Sequence, residues 1–160
     1  MILLQFKGDA IKGESQVDGH TNWITVDSIQ LGVGRAVTQT GRGNDRDTSN
    51  PSFSEVTITR STDKASPDLL KQATHGVSLG EATVHFLQVG AGDKTQIYME
   101  FILGEPIISS YSLSSGGDRP TESFAINFVK FHTKYTAHAK GAKVGDQPEF
   151  NWDLALNKTY

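Results

Sequence analysis

A mainly β protein, a sandwich or barrel of roughly nine strands with one short helix, is the fold class this sequence predicts. Three observations lead there. Apolar residues recur with period two along most of the chain rather than at helical spacing. Serine and threonine supply 29 of the 160 residues, in the company of Val, Ile and Phe that suits a pleated surface. Only one segment carries helix start and stop signals.

In chain order, the alternation predicts strands at Ile2–Phe6, Trp23–Leu31, Arg35–Gln39, Phe53–Arg60, Glu81–Val89, Gln96–Leu103, Pro106–Leu113, Ser123–Thr136 and Glu149–Leu156. The clearest one-faced sets are Val56/Ile58, Ala82/Val84/Phe86, Ile97/Met99/Phe101/Leu103, Phe124/Ile126/Phe128 and Phe150/Trp152/Leu154. The helix is expected between Ser66 and Gly76. Ser66 reads as its N-cap, Pro67 as its first residue, Asp68 as an acid in the positive first turn, His75 as a base in the last, and Gly76 as a left-handed C-cap. Its apolar stripe is Leu69, Leu70 and Ala73.

Two stretches lack periodicity. Thr40–Ser52 is a polar run long enough to suggest a functional loop, and Ser114–Pro120 reads as a wide, Gly-rich hairpin connection.

Composition narrows the chemistry. There is no cysteine, which removes disulfides, thiol nucleophiles, iron–sulfur clusters and thiolate zinc sites. Fifteen Lys and Arg against 18 Asp and Glu, net −3 and without a basic cluster, argue against a nucleic-acid partner. Apolar runs such as Met1–Leu4 and Phe101–Leu103 fall far short of a membrane span, so no membrane insertion is expected. Gln5, Lys7 and Asp9 interrupt the first residues before any signal-peptide core forms, so export would need another route.

No catalytic, metal or cofactor site is predicted. The five histidines, at 20, 75, 85, 132 and 138, show no helical H-x-x-x-H and no carboxylate at ligand spacing. His85 and His132 are expected at solvent-facing strand positions. Gly32-Val-Gly-Arg-Ala-Val37 lacks the third glycine and the following helix of a dinucleotide fingerprint, and Gly41-Arg-Gly43 lacks the Lys-Ser/Thr of a phosphate loop. No G-x-S-x-G elbow occurs. Asn157-Lys-Thr159 matches the glycosylation triplet, which arises often by chance.

On residues alone two classes stay open: a self-assembling β protein whose strand edges are covered by further copies, and a monomeric, carbohydrate-type ligand-binding β-domain. Several motifs then weigh in order along the chain. Ile11-Lys-Gly-Glu-Ser15 with His20, Phe53–Arg60, Thr62-Asp-Lys-Ala-Ser-Pro-Asp-Leu-Leu70, Ile108-Ser-Ser-Tyr-Ser112, Pro120-Thr-Glu-Ser123 and Ile126-Asn-Phe-Val-Lys130 together resemble the haemolysin-coregulated protein (Hcp) family, inner-tube subunits of bacterial type VI secretion systems. The resemblance runs over essentially the whole chain.

It implies a single domain over residues 1–160: two packed antiparallel sheets in a distorted barrel with one flanking helix. It implies a non-enzymatic tube subunit without cofactors, forming homohexameric rings that stack into a hollow tube. Partners would be further copies of the chain and the sheath, tip and effector proteins of the apparatus; the protein would start in the bacterial cytoplasm and leave through the apparatus. Ring stacking would fall on the loop holding Gly41, Arg42, Asp45, Arg46 and Asp47, whose charges stand where a Gly-rich stretch is usual. Alternation through Pro106–Ser115 puts Ile107, Ser109, Tyr111 and Leu113 on one face and Ile108, Ser110, Ser112 and Ser114 on the other. That second face, continued by Ser115, is the expected lumen and effector-contact wall.

Overall fold

The computed structural model of the protein describes residues 1–39, 46–90, 94–139 and 143–160, with backbone alone for residues 39, 46, 47, 139 and 143. In chain order it has β1 (Ile2–Phe6), a 3₁₀ turn (Lys7–Asp9), β2 (Ile24–Val26), β3 (Ser28–Gln30), β4 (Val33–Gly34), β5 (Val37–Gln39), β6 (Arg46–Thr48), β7 (Ser52–Phe53) and β8 (Val56–Ser61). Helix α1 (Ser66–His75) follows. Then come β9 (Glu81–Val89), β10 (Thr95–Gly104), β11 (Ile107–Ser114), β12 (Thr121–Asn127), β13 (Lys130–Tyr135), β14 (His138–Ala139), β15 (Lys143–Val144) and β16 (Glu149–Asp153).

Two antiparallel sheets face one another. One has six strands in the order β16-β13-β10-β9-β1-β2, the other four in the order β11-β12-β8-β3. The predicted mainly β architecture with two packed sheets and one helix is what the protein adopts; the two sheets stay separate rather than closing into one continuous ladder. Leu4, Phe6, Ile24, Val84 and Leu103 from the larger sheet meet Val56, Ile58, Ile108, Phe124 and Ile126 from the smaller, all essentially without exposure. Phe128 and Phe131 close one side of this core.

Two predicted strands are each a pair. Trp23–Leu31 breaks at Asp27 into β2 in the six-stranded sheet and β3 in the four-stranded one, and the Asp27 N–H donates to Thr59 O. Ser123–Thr136 likewise breaks at Phe128–Val129, passing from β12 to β13. At such corners the chain changes sheets, as two-layer β folds require to keep both inner faces on one core. Two β-bulges override predicted alternations as well. A register shift between Ile97 and Met99 turns Ile97 away from the main core, to pack with Leu3, Trp23 and Leu87 on the outer face of the larger sheet. Another, between Ile108 and Ser110, is considered with the site.

The helix has the predicted bounds but a different N-terminal cap. Asp63, not Ser66, takes the capping role: its Oδ1 accepts the Ala65 N–H at 2.8 Å, and Ser66 Oγ reciprocates by accepting the Asp63 N–H at 3.1 Å. This is a capping box one turn earlier than expected. Gly76 ends the helix at φ 64°, as predicted. Leu69 is buried and Ala73 packs on the core, whereas Leu70 points out, so the apolar stripe is narrower than the sequence suggested. The helix lies against β11.

A buried polar network ties these layers together. Arg60 Nε donates to Thr25 O in the larger sheet at 3.0 Å, Nη1 to Glu122 Oε1 at 2.5 Å, and Nη2 pairs with Asp63 Oδ2 at 2.6 Å. Glu122 also accepts from Ser66 Oγ at 3.0 Å and from the Tyr111 hydroxyl at 2.5 Å. One carboxylate and one guanidinium thus fasten both sheets and the helix.

Candidate functional site

The surfaces open to partners begin with an arm. Among the described residues, 33–39 and 46–53 form two short ribbons, β4 with β7 and β5 with β6, that pair only with each other. Within the expected loop Thr40–Ser52, residues 46–48 and 52 are strand residues paired with β5 and β4; polar side chains are tolerated because residues 48–52 are mostly exposed and no apolar face had to be written into the sequence. Local bonds hold its base: Ser54 N–H donates to Gly32 O, Gly32 N–H to Ser54 Oγ, and Ser49 N–H to Ala36 O. Of the expected stacking residues, Gly41, Arg42 and Asp45 lie outside the described residues. Arg46 and Asp47 lie on β6, registered opposite Gln39 and Thr38.

Under the arm's base runs an open apolar groove of about 440 Å³, bounded by Leu31, Val33 and Phe53 on one side and Phe131, Phe150 and Trp152 on the other. Phe53 packs on Phe128 and Phe131 with ring centroids 6.3 and 6.0 Å apart. Phe150 stacks with Trp152 and remains 44% exposed.

The outer face of the four-stranded sheet is the second surface. Cross-strand register places Ser28 and Gln30 of β3, Thr57 and Thr59 of β8, Thr121, Ser123, Ala125 and Asn127 of β12, and Ser110, Ser112 and Ser114 of β11 on one side. No Lys, Arg, Asp or Glu occupies any of these positions. At one end the Glu55 carboxylate accepts from Asn127 Nδ2 at 3.3 Å and Ser109 Oγ at 2.8 Å.

Ser110, Ser112 and Ser114 are brought together here as the alternation predicted, but the predicted faces need correction. Ser109 is the bulged residue, so Ile108 opposite Ile126 and Tyr111 opposite Phe124 both point into the core, while Ile107 sits opposite the exposed Asn127. Ser115 lies just past the strand, in the hairpin turn, where its hydroxyl donates to Asp118 O at 3.1 Å and accepts the Gly117 N–H.

Tyr111 itself is perturbed. Burial, reinforced by its hydrogen bond to the Glu122 carboxylate and that group's negative charge, pushes its hydroxyl up to about 12.

A cluster that sequence spacing missed lies on the outer face of the six-stranded sheet. Residues 11–23 cross that face, and His20 Nε2 meets His85 Nδ1 at 2.8 Å. His85 Nε2 then meets Glu100 Oε2 at 2.7 Å, and Trp23 lies against both imidazoles with centroids 4.6 and 4.7 Å away. His85 is therefore mostly covered rather than facing solvent, and burial lowers its pKa, partly offset by Glu100. His132 does not join it. It pairs across β10 with Ile102 and sits 3.4 Å from Glu149.

Gly13 lets the crossing segment lie down, since a Cβ there would meet Trp23 O at 2.3 Å. The 65-residue separation of His20 and His85 left no local signal for this contact. Arg60 and Glu122, by contrast, were findable: each continues an apolar parity, Val56/Ile58/Arg60 and Ile126/Phe124/Glu122.

Among the described residues no group of three or more His, Asp or Glu is placed to hold a metal ion, and no helix is long and apolar enough to cross a membrane.

Comparisons with known proteins converge on one family. A "Structure of a type six secretion system protein" superposes with a TM-score of 0.88 at 23% identity, covering 99% of this chain and 98% of that one. Hcp1 from Salmonella typhimurium gives 0.79 at 23% identity over 99% and 97% of the two chains. A type VI secretion system effector from Yersinia pestis gives 0.70 at 21% identity over 96% and 99%. At these identities the likeness shows the fold. No curated protein matches the sequence. The profile of the family described as "Type VI secretion system effector, Hcp" matches residues 3–135, and with the two-sheet architecture already in place the chain belongs to the Hcp family of type VI secretion proteins.

Proposed function

We propose that this member is a ring-forming subunit of a type VI inner tube: six copies close into a ring, rings stack, and the bore carries effectors before the tube is itself released. Membership in the Hcp family makes it a structural secretion protein of a family that is not enzymatic. The observation that carries the assembly reading is the arm of residues 33–53. Two-stranded ribbons are marginal in water on their own, and among the described residues these hydrogen-bond to neither large sheet. A second copy of the chain supplies what the arm lacks. The groove at its base, with exposed Phe150 and Val33, adds apolar surface that burial against another copy would remove from water.

In this reading Gly41, Arg42, Asp45, Arg46 and Asp47 make the ring-to-ring contact. The uncharged wall with Ser110, Ser112 and Ser114, and Ser115 at its rim, lines the bore. Sheath, tip and effector proteins are the further partners. The route from bacterial cytoplasm to exterior follows the apparatus.

Light scattering on the purified chain tests the reading. The expected mass is six times 17.4 kDa. A monodisperse monomer at tens of micromolar would favour the ligand-binding alternative. Arg42→Glu with Arg46→Glu should leave that mass unchanged while shortening tubes in electron micrographs, because charge reversal acts on every copy around a ring though each exposed pair is worth only about 0–1 kcal/mol.

A further inference from the structure

The histidine chain on the outer face has a proton count that its geometry dictates. With both imidazoles neutral and Glu100 ionised, His20 Nε2–H donates to His85 Nδ1, and His85 Nε2–H donates to Glu100 Oε2. His20 Nδ1 then faces Asp18 O at 3.3 Å with no proton between them. One added proton fits there, turning that contact into a hydrogen bond to the carbonyl. The Glu100 carboxylate can take a further proton without breaking either contact, whereas one on His85 Nδ1 breaks the contact between the rings. That nitrogen is the acceptor in the 2.8 Å contact, so two N–H groups and two positive rings would confront each other in a mostly covered site.

What the pair fastens is the segment 11–23. It carries Trp23 and Val17, which with Leu3, Leu87 and Ile97 form a small core separate from the main one. Its start is anchored by Ile11, buried in the main core; beyond that residue the ties are few, since Gly13 N–H to Asn22 O and Val17 N–H to Ser15 Oγ lie within the segment itself and Lys64 N–H to Glu14 Oε1 is exposed.

We propose that residues 12–23, hinged at the buried Ile11, are a proton-operated latch. It accepts one proton while closed and lifts from the sheet when His85 Nδ1 takes the second, uncovering Leu3 and Leu87 while the two-sheet core stays folded. The charged and titratable groups facing the pair set the threshold. Glu100 on β10 favours the second proton, while Lys134 on β13, registered opposite Glu100, opposes it. Glu149 of β16 is registered opposite Lys134, and His132 faces Ile102 one position along the same face. From β1 the pair meets the uncharged Leu3, with the terminal ammonium of Met1 turned to Leu87 O. The inference stands apart from the assembly reading.

Trp23 reports the latch directly once Trp152→Phe makes it the sole tryptophan. Fluorescence and acrylamide quenching are followed from pH 8 to pH 4 beside far-UV circular dichroism. The expected result has two steps. A fall in intensity without a change of wavelength marks the first proton beside the indole; at lower pH a red shift and stronger quenching follow while the circular dichroism is unchanged.

His85→Gln, which can still accept from His20 and donate to Glu100 but does not titrate, should abolish the second step. Glu100→Gln should move it to lower pH by about one unit, because the carboxylate that attracts the second proton is gone. A red shift that appears only together with loss of the β signal overturns the proposal. So does a second step unmoved in both variants.

Discussion

Arg60 and Glu122 lie directly opposite one another on β8 and β12, Nη1 2.5 Å from Oε1, with 1% and 0% of their side chains exposed. Neither group has water to fall back on. Arg60→Met leaves the buried Glu122 and Asp63 carboxylates without their counter-charge and should cost about 3–5 kcal/mol in urea denaturation, whereas Glu122→Gln leaves Arg60 its ion pair with Asp63 and should cost less. The double change Arg60→Met/Glu122→Leu should cost less than the sum, since no stranded charge remains at this pair. Additive losses would show that the pair is not coupled.

Tyr111 supplies a pH signature. Its folded-state value of about 12 lies above the unfolded value of 10, so between those values the unfolded chain has lost a proton that the folded chain retains. The contribution is complete below pH 10 and is lost as pH rises towards 12. Tyr111→Phe should remove this component, and at neutral pH should lose the about 1.5–3 kcal/mol of a hydrogen bond to a charged acceptor. Parallel stability curves for the two proteins across the alkaline range would refute it.

The capping box orders three substitutions. Asp63→Ala removes both the acceptor for the Ala65 N–H and the ion pair with Arg60. Ser66→Ala removes the acceptor for the Asp63 N–H and one donor to Glu122, worth about 1 kcal/mol. Pro67→Ala only frees φ and should cost least. Denaturant melts showing Pro67→Ala as the most harmful would place the cap elsewhere.

For the hydroxyl wall, Ser112→Trp is the probe. Ser112 is exposed in the middle of β11, so the oligomer should persist while co-purification of effector falls. Ser115→Trp, in the turn at the wall's edge, should reduce retention less. Equal retention by wild type and Ser112→Trp in rings of verified mass would remove the wall from cargo binding.

Much of the fold was legible because period-two alternation writes one buried face per strand, as in Val56/Ile58 and Ala82/Val84/Phe86. Even the missed corners left a trace. Apolar residues run on even positions through Phe124, Ile126 and Phe128 and then on odd ones at Phe131; likewise Ile24 and Val26 give way to Ile29 and Leu31. A change of parity inside an unbroken apolar run is what a strand changing sheets looks like.

The bulge at Ser109 was illegible, since the adjacent small serines Ser109 and Ser110 carry no burial signal. The arm was hidden for a different reason: apart from Phe53, which packs on the core, its described strand residues are mostly exposed, so no hydrophobic pattern was needed. The histidine chain depends on a segment folding back across a sheet, a contact that no local spacing encodes.

The wall of Ser, Thr, Ala, Asn and Gln on the smaller sheet has a kinetic corollary. A molecule approaching it feels no long-range field from the wall's own side chains, either pulling it in or turning it away, whatever its isoelectric point. Away from the Glu55 carboxylate at one end, encounters there depend on diffusion and orientation more than on ionic strength. Neutral hydroxyls make that part of the surface blind to the sign of whatever approaches it.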